Sequence, residues 1–177
     1  MSDPRYKTEF SLSRLIRYCG KRQRFFDGLH RLSLFINTIA GSSAFVTIIA
    51  NMPHVAAWLT AIVAVVSALD NVVGFSERAR LYAQQRSRYY ELYCDLVKSK
   101  PSGFVEDVYK ERKLRIDRDN PPILRVLDVV SRNEEDISRG HPYGETIFIS
   151  KFRYFMRHFM DIPPKKWITM DDKLSKS

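Results

Sequence analysis

The residues to which chemistry would first be assigned do not gather into a site. The four histidines, His30, His54, His141 and His158, are scattered, and no two have metal-ligand spacing. Cys19 and Cys94 lie near neither each other nor a histidine in sequence, which leaves zinc binding and nucleophilic catalysis unsupported. Two cysteines build no disulfide framework and suit a reducing compartment. Cys19 stands among basic residues ahead of an apolar run, where it is either a plain free thiol or a site of acylation. Glu134-Glu135-Asp136 reads as a solvated helix face or end. Neither a GxGxxG nor a P-loop occurs. These residues predict no enzyme, no cofactor and no metal.

One carboxylate is notable for its surroundings. Asp70 is the lone formal charge between Leu32 and Phe75, and it follows 38 residues, Leu32 to Leu69, free of Asp, Glu, Lys and Arg. A carboxylate in such a setting is a functional candidate if it lies within a membrane, and an ordinary headgroup-level residue if it lies at the edge. Upstream, Ser33, Asn37 and Gly41 repeat every four residues, with Ala44 three further on. They place small and polar groups along one helix face. Ala57, Ala61, Ala64 and Ala68 form a second, small-residue seam. Seams of this kind let helices approach closely in lipid. Two uses remain open: packing the spans or subunits together, or lining a polar path in an oligomer. A ring of Asp70 carboxylates would favour cations at the inner mouth of such a path.

The elements that carry these residues follow from the charge pattern. The chain has 177 residues and a net charge of +9, and its mean hydropathy of −0.29 suggests a basic soluble domain. That average conceals segregation. Residues 1–31 are net +5, residues 76–100 net +3, and the stretch between them is almost uncharged. Asn51-Met52-Pro53-His54 breaks the apolar stretch with turn chemistry. It leaves arms of 19 residues, Leu32–Ala50, and 21 residues, Val55–Phe75. A membrane-spanning helix needs about 20 apolar residues, so the expected fold is all-α with a two-helix transmembrane hairpin. Lys and Arg flank the hairpin on both sides and are absent from its loop, which predicts cytoplasmic termini. The competing reading is a buried helical hairpin in a soluble all-α protein, supported by the mild polarity of the first arm.

From Val55 to Lys100 Gly74 is the sole helix breaker, so the second span is expected to continue as one long cytoplasmic helix of roughly 65 Å. Leu81, Tyr82, Tyr89, Leu92, Tyr93 and Leu96 fall near one side of it, and Arg80, Gln84, Arg88 and Asp95 near the other. Further helices are expected over 104–119, 123–139 and 146–162. In the last, Phe148, Phe152, Phe155 and Phe159 either dock on the Tyr89/Leu92/Tyr93 stripe or, with their basic neighbours, meet anionic lipid. The expected organisation is a basic helix over 1–31, the hairpin over 32–75 (spans 32–50 and 55–75), a cytoplasmic helical region over 76–162 and a frayed tail over 163–177.

The order of parts resembles a known family. A basic helix (Arg14-Leu15-Ile16-Arg17-Tyr18-Cys19-Gly20-Lys21-Arg22-Gln23-Arg24-Phe25) leads into span one. A tight loop gives span two, and a Tyr/Arg-rich helix follows (Arg78-Ala79-Arg80-Leu81-Tyr82-Ala83 through Tyr89-Tyr90-Glu91-Leu92-Tyr93-Cys94-Asp95-Leu96). Over residues 10–100 this architecture resembles the SLATT family, the SMODS- and SLOG-associated two-transmembrane effector domains of bacteria. The resemblance implies an inner-membrane effector of an anti-phage conflict system, triggered by an associated signal-generating or signal-sensing protein. It carries no catalytic residues. Two spans enclose no pore, so a conducting state would be a homo-oligomer in the lipid bilayer. No nucleic-acid partner is expected, since the charge is diffuse and no recognition module is present. A non-conducting anchor that recruits a cytoplasmic partner and a holin-like lesion former are the competing membrane readings.

Overall fold

The computed structural model describes residues 3–42, 52–100 and 103–175. Regular structure among them is helical apart from one isolated bridge. The helices are α1 (Pro4–Ala40), α2 (Pro53–Val73), α3 (Phe75–Lys98), α4 (Glu106–Arg118), α5 (Arg125–Ser138), α6 (Lys151–Met156) and α7 (Met170–Leu174), with a 3-10 turn at Tyr143–Glu145. They form two compact units, Met1–Lys21 with Ala83–Ser177, and Arg22–Tyr82.

In the first unit, apolar residues at helical spacing supply the core. Leu12, Leu15, Tyr18 and Cys19 of α1 are buried, as are Tyr89, Leu92 and Leu96 of α3 and Val126, Leu127 and Val130 of α5. Each such aliphatic side chain contributes about 1.5–3 kcal/mol when fully withdrawn from water. Ion pairs edge this core. Arg14 meets Asp128 at 3.4 Å, Arg17 meets Glu135 at 2.6 Å, Lys21 meets Glu134 at 2.5 Å, and Arg139 meets Glu9 at 3.3 Å. Glu134 and Glu135 of the acidic run on α5 therefore pair with Lys21 and Arg17 of α1, while Asp136 pairs with Arg132 of its own helix. Burial is the largest influence on Asp128 and raises its pKa against the pull of Arg14, Arg132 and Lys113.

Polar contacts fix α4 to α3. The Tyr89 hydroxyl donates to Asp117 Oδ1 and accepts from Asn120 Nδ2 at 2.5 Å, while Gln85 Nε2 donates to the Asp119 carbonyl at 3.3 Å. Burial, followed by the contact with Asp117, raises the Tyr89 pKa. Cys19 is pushed up to about 12 by burial and then by the Asp117 charge, with Arg86 opposing. A thiol this buried and this weakly acidic fits the plain free-thiol reading of Cys19 better than acylation.

The expected helix over 146–162 is reduced to α6. Asn133 is the reason. Its Nδ2 donates to the Ile147 carbonyl at 2.7 Å and its Oδ1 accepts from Ile147 N–H at 3.0 Å, which holds residues 146–148 extended. Phe148 N–H then bonds the Ile168 carbonyl and Met170 N–H the Thr146 carbonyl, both at 2.8 Å. Residues 168–170, expected to fray, are the partner of this segment. Ser150 caps α6, accepting from Arg153 N–H at 3.5 Å. The expected docking of the phenylalanines does not occur: Phe152, Phe155 and Phe159 are 65%, 72% and 60% exposed.

The helical run Pro53–Lys98, which begins in the second unit, is the one run among the described residues long and apolar enough to cross a membrane, and none of its most apolar window is buried. Trp58 and Val72 are 74% and 85% exposed. The run is not a single unbroken helix. Gly74 lies in the left-handed region at φ +64°, a conformation that favours glycine, and divides α2 from α3. Hydrogen bonding continues through it: Gly74 N–H bonds the Asp70 carbonyl at 2.8 Å, and its own carbonyl accepts from Arg78 N–H at 2.9 Å. At the start of α3, Phe26 stacks with Tyr82 and Phe75 at centroid distances of 5.8 and 6.4 Å, and the Arg22 guanidinium lies 4.6 Å from the Phe26 centroid.

The first apolar arm is described only as far as Ser42. α1 ends at Ala40, where Gly41 N–H bonds the Asn37 carbonyl and Ser42 N–H bonds the Ile39 carbonyl, each at 3.0 Å. Gly and Ser are weak helix formers, and they coincide with the stop. The rest of that arm, 43–50, including Ala44, lies outside the described residues, as does Asn51 of the expected turn.

Candidate functional site

Two of the polar residues singled out in the arms, Asn37 and Asp70, each meet a residue of the other helix within the second unit. Asn37 Oδ1 on α1 accepts from Ser67 Oγ on α2 at 2.8 Å. His30 Nδ1 lies 3.2 Å from Asp70 Oδ2. Ser33 is 1% exposed, and its hydroxyl has no hydrogen-bond partner among the described residues. His30, Ser33 and Asn37 are separated by three and four residues, so they occupy one face of α1. Ser67 and Asp70 are likewise three apart on α2. The result is a polar strip in which each long-range bond joins one helix to the other.

Asp70 and Asn37 thus have defined partners. Gly41 sits at the end of α1 with its carbon close to the helix backbone. An added Cβ there would lie 3.3 Å from the Asn37 carbonyl oxygen. Ala57, Ala61, Ala64 and Ala68 are all exposed and lie outside the strip. The paired polar residues are half-buried between α1 and α2, whereas the alanines are exposed.

His30 and Ser67 are the two members of the strip that sequence reasoning missed. His30 precedes the charge-free stretch, so a search confined to that stretch passes over it. The signal was present, because His30 is seven residues before Asn37 and falls on the same helix face. Ser67 offers a weaker signal, three residues before Asp70 in an otherwise apolar run.

Chemically the strip holds one carboxylate, one imidazole, one amide and two hydroxyls. In an apolar setting such groups stabilise helix association by hydrogen bonding, with typical net values of about 0.6–2 kcal/mol per bond. Among the described residues no group of three His, Cys, Asp or Glu side chains converges to hold a metal. The chain matches no protein family, no curated protein and no solved structure.

Proposed function

We propose that this protein is a two-span membrane effector of a bacterial anti-phage conflict system, similar to the SLATT family, which oligomerises in the inner membrane and depolarises it when triggered. The observation that carries the membrane part is the apolar window of α2, of which nothing is buried. A core helix of a soluble protein would bury one face; this one presents apolar side chains on all sides. Supporting a hairpin, His30 meets Asp70 while Asn37 meets Ser67, the order of contacts made by antiparallel neighbours. The effector part rests on the resemblance over residues 10–100. Both ends of the chain are assigned to the cytoplasm by the Lys/Arg flanks.

The strip supplies a mechanism for a resting state. A polar path lined by Ser33, Asn37 and Asp70 needs these groups to face water, whereas in the isolated chain they face Ser67 and His30 or are buried. The resting state holds them in pairs. Conduction would need an oligomer in which α1 and α2 shift enough to release them, driven by a partner that binds the cytoplasmic helices in the released state. The direct test is induced expression in bacteria with a membrane-potential dye, with the neighbouring genes present. Depolarisation with growth arrest is expected. A stable potential and normal growth would sink the proposal.

The pairing itself favours a second reading, a non-conducting anchor that recruits a cytoplasmic partner. An anchor uses polar residues as interhelical glue and leaves none for a path. The double variant Asn37→Leu with Ser67→Ala separates the two, because it removes both partners at once and leaves neither unpaired. A pore loses its depolarising activity while staying in the membrane. An anchor keeps its function.

A further inference from the structure

Residues 151–166 stand out from the rest of the first unit by what surrounds their charges. Several arginines elsewhere in that unit are matched by carboxylates: Arg88 by Asp119, Arg112 by Asp95 and Arg115 by Glu111. Lys151, Arg153, Arg157, Lys165 and Lys166 have no carboxylate partner among the described residues. The single carboxylate of the segment, Asp161, turns to α5 instead. It lies 3.7 Å from Arg125 Nε and accepts from Val126 N–H at 3.4 Å.

Several apolar side chains of the segment are exposed. Phe152 and Phe155 are three residues apart on α6 and exposed, and Phe159 follows one turn later, also exposed. Tyr154 and Met160 are also exposed, and the Arg157 guanidinium stacks 3.8 Å over the Tyr154 ring. Exposed rings in a cluster mark an interaction surface. Rings interleaved with unpaired cations fit one setting best, the headgroup layer of an anionic bilayer. There aromatic rings sit at the boundary of the acyl chains, and each Lys or Arg gains from the negative surface potential.

We propose that residues 151–166 bind the surface of an anionic bilayer, with Phe152, Phe155 and Phe159 entering the headgroup layer and Lys151, Lys165 and Lys166 meeting lipid phosphates. The proposal goes beyond the effector reading and shares with it only the presence of a membrane. It gives the cytoplasmic unit a contact that responds to lipid charge and to salt, independent of the spans.

The test uses the full chain reconstituted in phosphatidylcholine bilayers with and without phosphatidylglycerol, read by hydrogen–deuterium exchange of residues 151–162. Exchange is expected to slow roughly tenfold when phosphatidylglycerol is present and to recover at high salt. The surface variants Phe152→Ser/Phe155→Ser/Phe159→Ser and, separately, Lys165→Glu/Lys166→Glu should abolish the slowing while leaving exchange in α5 unchanged. Equal exchange in both lipids would overturn the proposal. So would protection that ignores lipid charge and rises with protein concentration, which assigns the surface to a second copy. Vesicle flotation keeps the two readings apart. A chain that floats with phosphatidylglycerol vesicles and not with phosphatidylcholine vesicles would sink the transmembrane reading and still bear out this one.

Discussion

Glu135 receives Arg17 Nε at 2.6 Å and Arg139 Nε at 2.7 Å while only 4% exposed. Arg139 in turn reaches Glu9 and lies over the rings of Tyr6 and Phe10. Removing the carboxylate leaves one guanidinium largely buried with its main partner gone. Glu135→Ala is therefore expected to destabilise the first unit by about 2–3 kcal/mol, read by chemical denaturation of the detergent-solubilised chain. Arg17→Ala should cost less, because that side chain is 40% exposed and water replaces part of the bond. A Glu135→Ala variant as stable as the parent would show the bridge to be ornamental. Cys19 gives a pH prediction. Its pKa is raised from 9.0 in the unfolded reference to about 12 in the fold. Above pH 9 the unfolded chain binds fewer protons than the folded one, so stability falls as pH rises. The contribution is intact below pH 9 and is lost progressively towards 12. Tyr89 is shifted in the same direction and adds to the loss. Unfolding midpoints between pH 8 and 11 should decline, and Cys19→Ala should flatten the slope. Maleimide at pH 8 should label Cys94 and spare Cys19 until the chain is denatured.

At the scale of elements, periodicity and breakers were good guides where a helix packs through its own face. The helices expected over 104–119 and 123–139 appear as α4 and α5, and the stripe containing Tyr82, Tyr89, Leu92 and Leu96 is buried. Leu81 is exposed, and Ala79 and Gln85 are buried in that stripe, a drift of register that residue size does not announce. The expectation failed where a distant residue overrides a local pattern. Phe148, Phe152, Phe155 and Phe159 have helical spacing, yet Asn133 and residues 168–170 hold 146–148 extended. No local signal reports a bond to a side chain 14 residues upstream. Asn133→Ala removes both bonds to Ile147 and should cost about 1–2 kcal/mol, with faster hydrogen exchange at Ile147 and Phe148. Unchanged exchange there would mean that the pairing with 168–170 suffices. Gly74 was legible as a breaker, but its left-handed geometry was not. Gly74→Ala should destabilise by about 1 kcal/mol, and Gly74→Asn by less, since Asn tolerates this region. An added Cβ would meet only ordinary contacts with Glu77, so the cost is conformational and not steric. Equal stability of the Ala and Gly forms would place no strain at residue 74.

At the scale of the whole molecule, the charge pattern of the sequence and the exposure of α2 point the same way, whereas subunit contacts lie beyond a single chain. The different placement of polar residues and alanines on α1 and α2 connects them. Polar groups of α1 and α2 meet each other through Asn37–Ser67 and His30–Asp70, so they are not available to glue one chain to the next. The alanines at 57, 61, 64 and 68 are exposed. In lipid, where apolar surface gains nothing from leaving water, close backbone approach along small residues drives helix association. If the chain oligomerises as proposed, this alanine face is the one suited to the contact. Ala61→Leu with Ala64→Leu adds bulk at the middle of the face without adding charge or shortening the apolar run. The variant should still float with membranes and resist carbonate extraction. Its cross-linked oligomers should fall several-fold relative to the parent chain, and depolarisation should fall with them. Undiminished oligomers would place subunit contacts on another face. Lost oligomers with intact depolarisation would separate conduction from assembly and count against a multi-chain pore.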